Sequence, residues 1–145
     1  MEKNRDLVAY CGLYCGDCPG YKGEIADLAR DLKKKLREEK FDRAAEWLSE
    51  VVKPFKKYKD FDEVLGAMVT LRCRRQCRQK GVRTSCEVRK CCQERNFAGC
   101  WECEEFETCD KFDFLKPVHE DAYLKNLRKI KKQGLDKFIE GKRYW

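Results

Sequence analysis

The chain contains cysteines at spacings that suit metal coordination. Eleven of its 145 residues are cysteine. Two pairs, Cys15/Cys18 and Cys100/Cys103, have the two-residue gap that lets both sulfurs of one turn reach a single ion about 2.3 Å away. Four thiolates drawn from two such turns form the common structural zinc site. The spacing therefore predicts metal coordination by sulfur.

Ten of the cysteines are predicted ligands. Cys92 directly follows Cys91, and two neighbouring residues are awkward ligands for one ion, so Cys92 is the predicted non-ligand and could remain as a reactive thiolate. Cys73 and Cys77 lie four residues apart, so on a helix they would share a face, either as ligands or as buried thiols. The predicted ligands are Cys11, Cys15, Cys18, Cys73, Cys77, Cys86, Cys91, Cys100, Cys103 and Cys109.

The predicted metal is zinc, as one or two ions. Eight thiolates could fill two sites, and the lone histidine, His119, implies that the sites are all-cysteine. Four cysteines can also hold a [4Fe-4S] cluster, which is the alternative cofactor. The spacing of Cys11, Cys15 and Cys18 matches the radical-SAM cluster motif, but the chain is too short for the barrel of those enzymes, which makes coincidence the better explanation.

The cysteines are not expected to form disulfides. The chain is longer than a typical disulfide-rich domain, has an odd number of cysteines and is rich in lysine and glutamate. It shows no signal peptide and no run of eighteen apolar residues. We therefore expect a cytoplasmic protein that does not enter a membrane.

Residues 24 to 71 have the apolar periodicity of amphipathic helices. The predicted helices cover residues 24 to about 40, then a segment that begins with Asp42 as N-cap and ends near Pro54. A third begins with a capping box of Asp60 and Glu63 and could continue as far as residue 81. Its predicted core side chains are Val64, Leu65, Met68 and Leu71.

Three further segments complete a single predicted domain over residues 1–145. Residues 7–20 should form a glycine-containing knuckle, and residues 118–140 a C-terminal helix with Tyr123, Leu127 and Ile130 on its apolar face. Residues 72–110 are a cysteine-rich hub with few aliphatic side chains, so apolar burial alone cannot order it. One structural zinc contributes on the order of 10 kcal/mol to folding. The predicted fold is mainly α, around a loop-rich cysteine hub, with little or no sheet.

Three sequence motifs resemble a known family. They are CGLYCGDCPGY at the start of the cysteine sequence, Cys86-Glu87-Val88-Arg89-Lys90-Cys91, and Cys100-Trp101-Glu102-Cys103-Glu104-Glu105-Phe106 with Cys109. Together they resemble the prokaryotic family of unknown function DUF3795. The resemblance implies zinc-binding cysteines and assigns no reaction. The chain departs from the family pattern at Cys73-Arg74-Arg75-Gln76-Cys77, where the family tends to have Cys-x-Gly-Cys.

The functional prediction is a metal-binding interaction module with a protein partner. The formal charge of +7 falls when thiolates bind a divalent ion, so net charge alone does not indicate nucleic-acid binding. Residues 72–90 nevertheless hold eight basic side chains and one acidic one, which makes nucleic acid the alternative partner. Its predicted contacts are Arg72, Arg74, Arg75, Arg78 and Lys80. No catalytic triad, phosphate loop or open zinc site is present, so enzyme activity is a weaker alternative.

Overall fold

The computed structural model describes residues 2–81 and 83–145, and it confirms a mainly helical fold. Within those ranges no strand forms, and the pairing of Val8 with Tyr14 is an isolated bridge. The α-helices are α1 Glu2–Arg5, α2 Pro19–Lys22, α3 Glu24–Glu38, α4 Phe41–Val51, α5 Tyr58–Val69, α6 Glu87–Glu94, α7 Lys116–His119, α8 Ala122–Gln133 and α9 Leu135–Glu140. No helix in the described part of the chain is both long enough and apolar enough to cross a bilayer.

Contacts divide the chain into two compact units. The cysteine unit comprises Met1–Tyr21 and Arg74–Trp145, and the helical unit comprises Lys22–Cys73. The helical unit is thus an insertion between the two stretches of the cysteine unit. The single domain over residues 1–145 stays a prediction.

The helical unit is built on the pairing of α3 with α5. Lys33 donates to the Asp62 carboxylate at 2.9 Å, and Arg72 bonds to Asp27 at 2.6 Å. Gly23, at φ +75, precedes α3, and the Arg72 guanidinium lies where its side chain would be. Small residues dominate the buried positions of this unit, which are Gly23, Ala26, Ala29, Ala45 and Leu65.

Several sequence predictions for the helical unit are wrong in detail. α4 has Lys40 as its N-cap residue, at φ 50, with Asp42 in the first turn. α5 begins at Tyr58, before the predicted capping box, and ends at Val69. The Thr70 hydroxyl bonds to the carbonyl oxygen of Ala67, where the helix stops. The expected core residues Val64 and Leu71 are 58% and 60% exposed, whereas Leu65 is buried as predicted.

The cysteine unit has a core formed largely by α8 and the aromatic residues before it. Tyr123 and Leu127 pack in a cluster with Phe112, whose ring centroid lies 4.8 Å from that of Tyr123. Ile130 packs with Phe138 in a second cluster. These α8 residues are buried as predicted, and the cysteines Cys11, Cys92 and Cys100 belong to the first cluster.

The helix predicted over residues 118–140 is interrupted. α7 ends before Glu120, which has φ 49, and α8 ends before Gly134, which has φ 86. Positive φ values cannot continue a right-handed helix, so the segment forms three short helices.

Polar contacts hold the end of the chain against the cysteine unit. The fully buried Asn126 amide donates to the Tyr144 carbonyl at 2.8 Å and accepts from the Tyr144 N–H at 2.9 Å. The Arg143 guanidinium pairs with both carboxylate oxygens of Asp17 and lies 4.5 Å above the Tyr14 ring. The ion pair between Arg143 and Asp17 therefore holds the Cys15–Cys18 turn against the end of the chain.

Candidate metal centre

Both Cys-x-x-Cys motifs fold into the same local structure. Cys15–Asp17 and Cys100–Glu102 are 3-10 turns, and in each the second cysteine caps the turn in an extended conformation. The Cys18 N–H donates to the Cys15 carbonyl at 3.0 Å, and the Cys103 N–H donates to the Cys100 carbonyl at the same distance. This turn places two sulfurs three residues apart on one short loop, as metal knuckles require.

Five cysteines from three chain segments line one cavity of about 30 Å³. Two belong to α6, two to the Cys100–Cys103 turn, and the last follows the 3-10 turn Phe106–Thr108. Phe106, Phe112 and Val88 close the cavity with apolar surface. We call this set the 91–109 cysteine group: Cys91, Cys92, Cys100, Cys103 and Cys109.

The α6 helix, which was not anticipated in the hub, gives the neighbouring cysteines different surroundings. Cys92 is 2% exposed, and its sulfur lies 3.4 Å from that of Cys100. This separation is well beyond a disulfide bond of about 2.05 Å. Hydrogen bonding from Cys100 lowers the pKa of Cys92, and the same contact raises the pKa of Cys100. Only the first ionisation of this thiol pair is favoured, because a second thiolate would face the first.

Cationic side chains face the other cysteines of this group. Arg95 lies one helical turn after Cys91, and its guanidinium is 3.7 Å from the Cys103 sulfur. The pKa of Arg95 is raised, mainly by negative charge on Cys91 and next by negative charge on Cys103. Lys111 also lines the cavity. Arg95 and Lys111 thus bring two positive charges to this cavity.

A second set of cysteines gathers around the start of the chain. The charges of Cys77, Cys86 and Cys15 all act on Cys11, and Cys77 and Cys86 pack against the core cluster that contains Cys11. Cys86 is the N-cap residue of α6, and Cys77 begins the 3-10 turn Cys77–Gln79. We call this set the 11–86 cysteine group: Cys11, Cys15, Cys77 and Cys86.

Burial opposes ionisation in the 11–86 cysteine group. Desolvation raises the pKa of Cys11 to about 12 and also raises the pKa of Cys77. Backbone N–H donors act in the opposite sense, because Leu13 donates to the Cys11 sulfur and Tyr10 donates to the Cys77 sulfur. The metal-free Cys11 and Cys77 thiols are therefore neutral at pH 7.

Two predicted ligands, Cys18 and Cys73, are assigned to neither group. Cys18 ends the first knuckle, three residues after Cys15. Cys73 belongs to the helical unit, and the segment between α5 and Cys77 is not helical, so the expected shared helix face of Cys73 and Cys77 is wrong. His119 packs edge-on against Trp145, with ring centroids 4.8 Å apart.

The sulfurs of the two groups are not held at ligand distances. Across residues 2–81 and 83–145, no three His, Cys, Asp or Glu side chains converge closely enough to hold an ion. All eleven cysteines lie in those ranges, and none is in a disulfide. The two cysteine groups are thus sets of neighbouring free thiols that do not form a complete metal site in the described part of the chain.

Comparison with protein families agrees with the sequence motifs. The model of DUF3795, described as a protein of unknown function, matches residues 7–114. The chain belongs to the DUF3795 family. The matched range of this DUF3795 protein contains every one of its cysteines and ends before α7. No curated protein and no solved structure matches the chain.

Basic residues proposed as nucleic-acid contacts have internal partners in the DUF3795 chain. Arg72 pairs with Asp27, and Arg78 donates to the carbonyls of Val8 and Ala98. Arg78 also lies 4.5 Å from the ring centroid of Tyr10. These side chains connect parts of the protein, and nucleic-acid binding stays a prediction.

Sequence analysis missed the arginines that accompany the cysteines. Arg89 lies on α6, three residues after Cys86, and Arg95 is the C-cap residue of that helix, four residues after Cys91. Arg89 was counted only among the basic side chains of residues 72–90, and Arg95 was not considered. Helical spacing from a cysteine could have identified them, but only if α6 had been recognised within the hub.

Proposed function

We propose that this protein binds zinc and that the 91–109 cysteine group holds a structural ion. The supporting observation is that cysteines from three segments line one enclosed cavity. A tetrahedral ion takes four of these sulfurs, and we assign Cys91, Cys100, Cys103 and Cys109 as the ligands. An ion bound there would join α6 to the two following turns.

Cys92 is left out of this ligand set because of where it lies. It is more deeply buried than Cys91 and packs in the core cluster with Val88, one turn earlier on α6. Cys91 instead lies near the Arg95 guanidinium, as does Cys103. A side chain 2% exposed is also a poor candidate for the reactive thiolate of an enzyme.

The size of the cavity favours zinc over an iron-sulfur cluster. A cavity of about 30 Å³ is on the scale of one or two small bound species. A [4Fe-4S] cluster contains eight heavy atoms and would require the lining residues to move apart. A single zinc ion requires only that the sulfurs close around it.

The surrounding charges and the state of the thiols are consistent with this assignment. Four thiolates and one divalent ion carry a net charge of minus two, which Arg95 and Lys111 would partly neutralise. A reducing compartment such as the cytoplasm keeps thiols available for metal. An all-thiolate, enclosed site leaves no open position for substrate, so the proposed role is structural.

Paired cysteine variants test the assignment. The protein should be purified anaerobically and its metal content measured together with its absorption spectrum. Cys103→Ser should contain one zinc ion fewer per chain than the unmodified protein, whereas Cys92→Ser should keep the full content. Stoichiometric iron with a brown colour would refute zinc, and equal metal content in both variants would refute the ligand set.

We propose that the helical unit is the part of the module that docks a partner. An apolar cavity of about 390 Å³ is lined by four aromatic side chains together with two leucines, a proline and Lys57. The aromatic residues are Phe41, Phe55, Tyr58 and Phe61. Such a cavity suits apolar side chains of a partner helix.

Charge selects an acidic partner. The stretch from residue 53 to 59 contains four lysines and no acidic residue. None of these lysines forms an ion pair within the described part of the chain. The proposed occupant is therefore an acidic amphipathic segment of a partner protein.

A designed peptide tests this docking site. The probe is a helical peptide with leucine or phenylalanine at every third or fourth position and glutamate elsewhere, titrated into isotope-labelled protein. Shift changes should concentrate on residues 32–61 and weaken with salt. Lys57→Glu should weaken binding about tenfold, and Lys22→Glu is the matched control. Equal binding of a peptide with lysine in place of glutamate would refute the proposal.

A further inference from the structure

Cys92 and Cys100 form a buried pair of thiols within the 91–109 cysteine group. Their sulfurs are 3.4 Å apart, and the two residues are 2% and 9% exposed. A disulfide bond is about 2.05 Å long, so the sulfurs need to approach each other by about 1.4 Å. Rotation about the Cα–Cβ bonds of the two residues moves the sulfurs on this scale. The pair is therefore close enough to be oxidised to a disulfide.

Backbone hydrogen bonds hold the chain at both cysteines. After α6 the backbone passes through Asn96 at φ 57, and the Phe97 N–H donates to the Cys92 carbonyl at 2.8 Å. Asparagine adopts this left-handed conformation more readily than most residues. The Cys100 N–H donates to the Tyr10 carbonyl at 2.9 Å. The chain thus turns back on the helix, and the contact between the two thiols follows from the fold.

The cavity of the 91–109 cysteine group gives a small oxidant access to the pair. Cys92 and Cys100 both line this cavity, whose volume is about 30 Å³. One water molecule needs roughly 10–15 Å³ on the same measure. Cys91, Cys103 and Cys109 line it as well, and all three are half-buried. Hydrogen peroxide is only slightly larger than water, so it fits a space from which a larger substrate is excluded.

The contact also gives Cys92 a chemical role apart from metal binding. Cys92 is outside the proposed zinc ligand set, yet its sulfur lies against that of Cys100, which belongs to the set. A thiol beside an oxidised cysteine is the group that closes a disulfide. Closure is intramolecular, so the burial of Cys92 does not prevent it.

We propose that Cys92 and Cys100 are an oxidative modification site, at which a peroxide converts the two thiols to a disulfide. The sulfur of one thiol attacks an oxygen of hydrogen peroxide, so that the O–O bond breaks and a sulfenic acid and one water form. The other thiol attacks the sulfenic sulfur, which forms the S–S bond and releases the sulfenic oxygen as a second water. Two electrons pass from the sulfurs to the peroxide, and both S–H protons leave in water.

The disulfide has a consequence for the metal that rests on the proposed function. Because Cys100 belongs to the proposed ligand set, its disulfide would leave the zinc ion with three sulfurs, and the ion would be released. A dithiol reductant would restore both thiols by exchange and so restore the site. The formation of the disulfide itself does not depend on zinc.

Disulfide mapping tests the pair in the unmodified protein. The protein is purified anaerobically with its metal retained and treated with one equivalent of hydrogen peroxide, and the remaining thiols are alkylated. The tryptic peptide 91–95 should be joined to peptide 96–111, and fragmentation should place the bond between Cys92 and Cys100. Access alone would favour the more exposed Cys91. A bond that instead joins Cys91, Cys103 or Cys109, or sulfinic acid without a disulfide, would overturn the proposal.

Zinc release in the same reaction separates this inference from the proposed function. A chromophoric chelator follows the released ion. One zinc ion released for each Cys92–Cys100 disulfide would support both. The same disulfide with zinc retained, or in a protein that contains no zinc, would support the modification site and overturn the proposed function.

Two serine variants test the role of Cys92. Cys92→Ser should lose disulfide formation by Cys100, because the neighbouring sulfur is gone. Cys11→Ser is the matched control, since Cys11 is a buried thiol of the same core cluster that does not line the cavity. It should form the Cys92–Cys100 disulfide as the unmodified protein does, and dithiothreitol should reverse it. Disulfide formation by Cys100 at an unchanged rate in Cys92→Ser would contradict the proposal.

Discussion

The large apolar side chains of the two units lie in contrasting surroundings. In the cysteine unit Phe112, Leu127 and Phe138 are at most 1% exposed, and three cysteines pack in the same cluster as Phe112 and Leu127. In residues 22–73, all of them described, Leu65 is the one large aliphatic side chain that is buried, while Leu28 and Trp47 are about two thirds exposed. The helical unit thus has regular helices but few buried large apolar side chains. The cysteine unit has more of them, although many of its segments are irregular turns.

The comparison shows that regular secondary structure and tertiary burial are separate properties. The helical unit follows local rules of propensity and spacing, and under our proposal its apolar surface binds a partner. The cysteine unit depends on contacts between distant segments and, under our proposal, on bound metal. Each unit should therefore respond differently to the same perturbation.

Metal removal should produce the largest difference in stability between the two units. Chelation should reduce amide protection far more in residues 8–21 and 83–145 than in residues 24–69. One structural zinc contributes on the order of 10 kcal/mol to folding. Hydrogen exchange followed by mass spectrometry resolves these segments. Uniform loss of protection in both units, or in neither, would contradict the comparison.

Truncation of Phe112 should be the most damaging apolar substitution. Phe112→Ala removes a ring that is 1% exposed and packs on Tyr123, so it should lower the free energy of unfolding by about 3–5 kcal/mol. Denaturant titration of the metal-loaded protein measures the change. A loss below about 1 kcal/mol would show that metal, and not apolar packing, supplies the order of this region.

Alkaline pH should destabilise the metal-free cysteine unit. The pKa of Cys11 is raised to about 12 in the fold from 9.0, so the folded form holds its proton more tightly than the unfolded chain. The stabilisation is fully present below pH 9 and is lost as pH rises from 9 toward 12. It amounts to about 4 kcal/mol at most. Thermal unfolding of metal-free protein across this range should show the loss, and a flat profile would exclude it.

Substitution of an exposed leucine should have the smallest effect. Leu28 lies on α3 and is 70% exposed, so Leu28→Ala should change the free energy of unfolding by less than about 0.5 kcal/mol. The same denaturant titration as for Phe112→Ala makes the two changes comparable. A loss of more than about 2 kcal/mol would mean that Leu28 is buried in solution and that the contrast between the units is overstated.

The sequence predicted the helices of the inserted segment and the importance of cysteine, for identifiable reasons. Apolar spacing determined that residues 24–38 would be helical, and the positions of Tyr123, Leu127 and Ile130 determined the buried face of α8. Spacing could not tell which apolar face would be covered, because a helix periodicity is the same with or without a neighbour. It therefore predicted Val64 and Leu71 as core residues.

The grouping of the cysteines could not be predicted, because it depends on tertiary structure. Cys11 is separated in the sequence from Cys77 and Cys86 by the whole helical unit. Their proximity therefore depends on folding of distant segments, and no local sequence pattern predicts it. α6 was missed because its eight residues contain one aliphatic side chain, Val88, and its other buried positions are Arg89 and Cys92. A helix whose inner face is sulfur and guanidinium does not display the usual apolar pattern.

The discontinuity of the cysteine unit has a consequence for synthesis on the ribosome. Cys15 and Cys77 are separated by the entire inserted segment, whose translation takes about 3 to 10 s. During that interval the early knuckle is exposed without its later partners, whereas residues 91–109 are completed within about a second or a few seconds. Nascent chains should thus pass through a stage in which the first thiols are open to oxidants and foreign metals while the inserted helices have already formed.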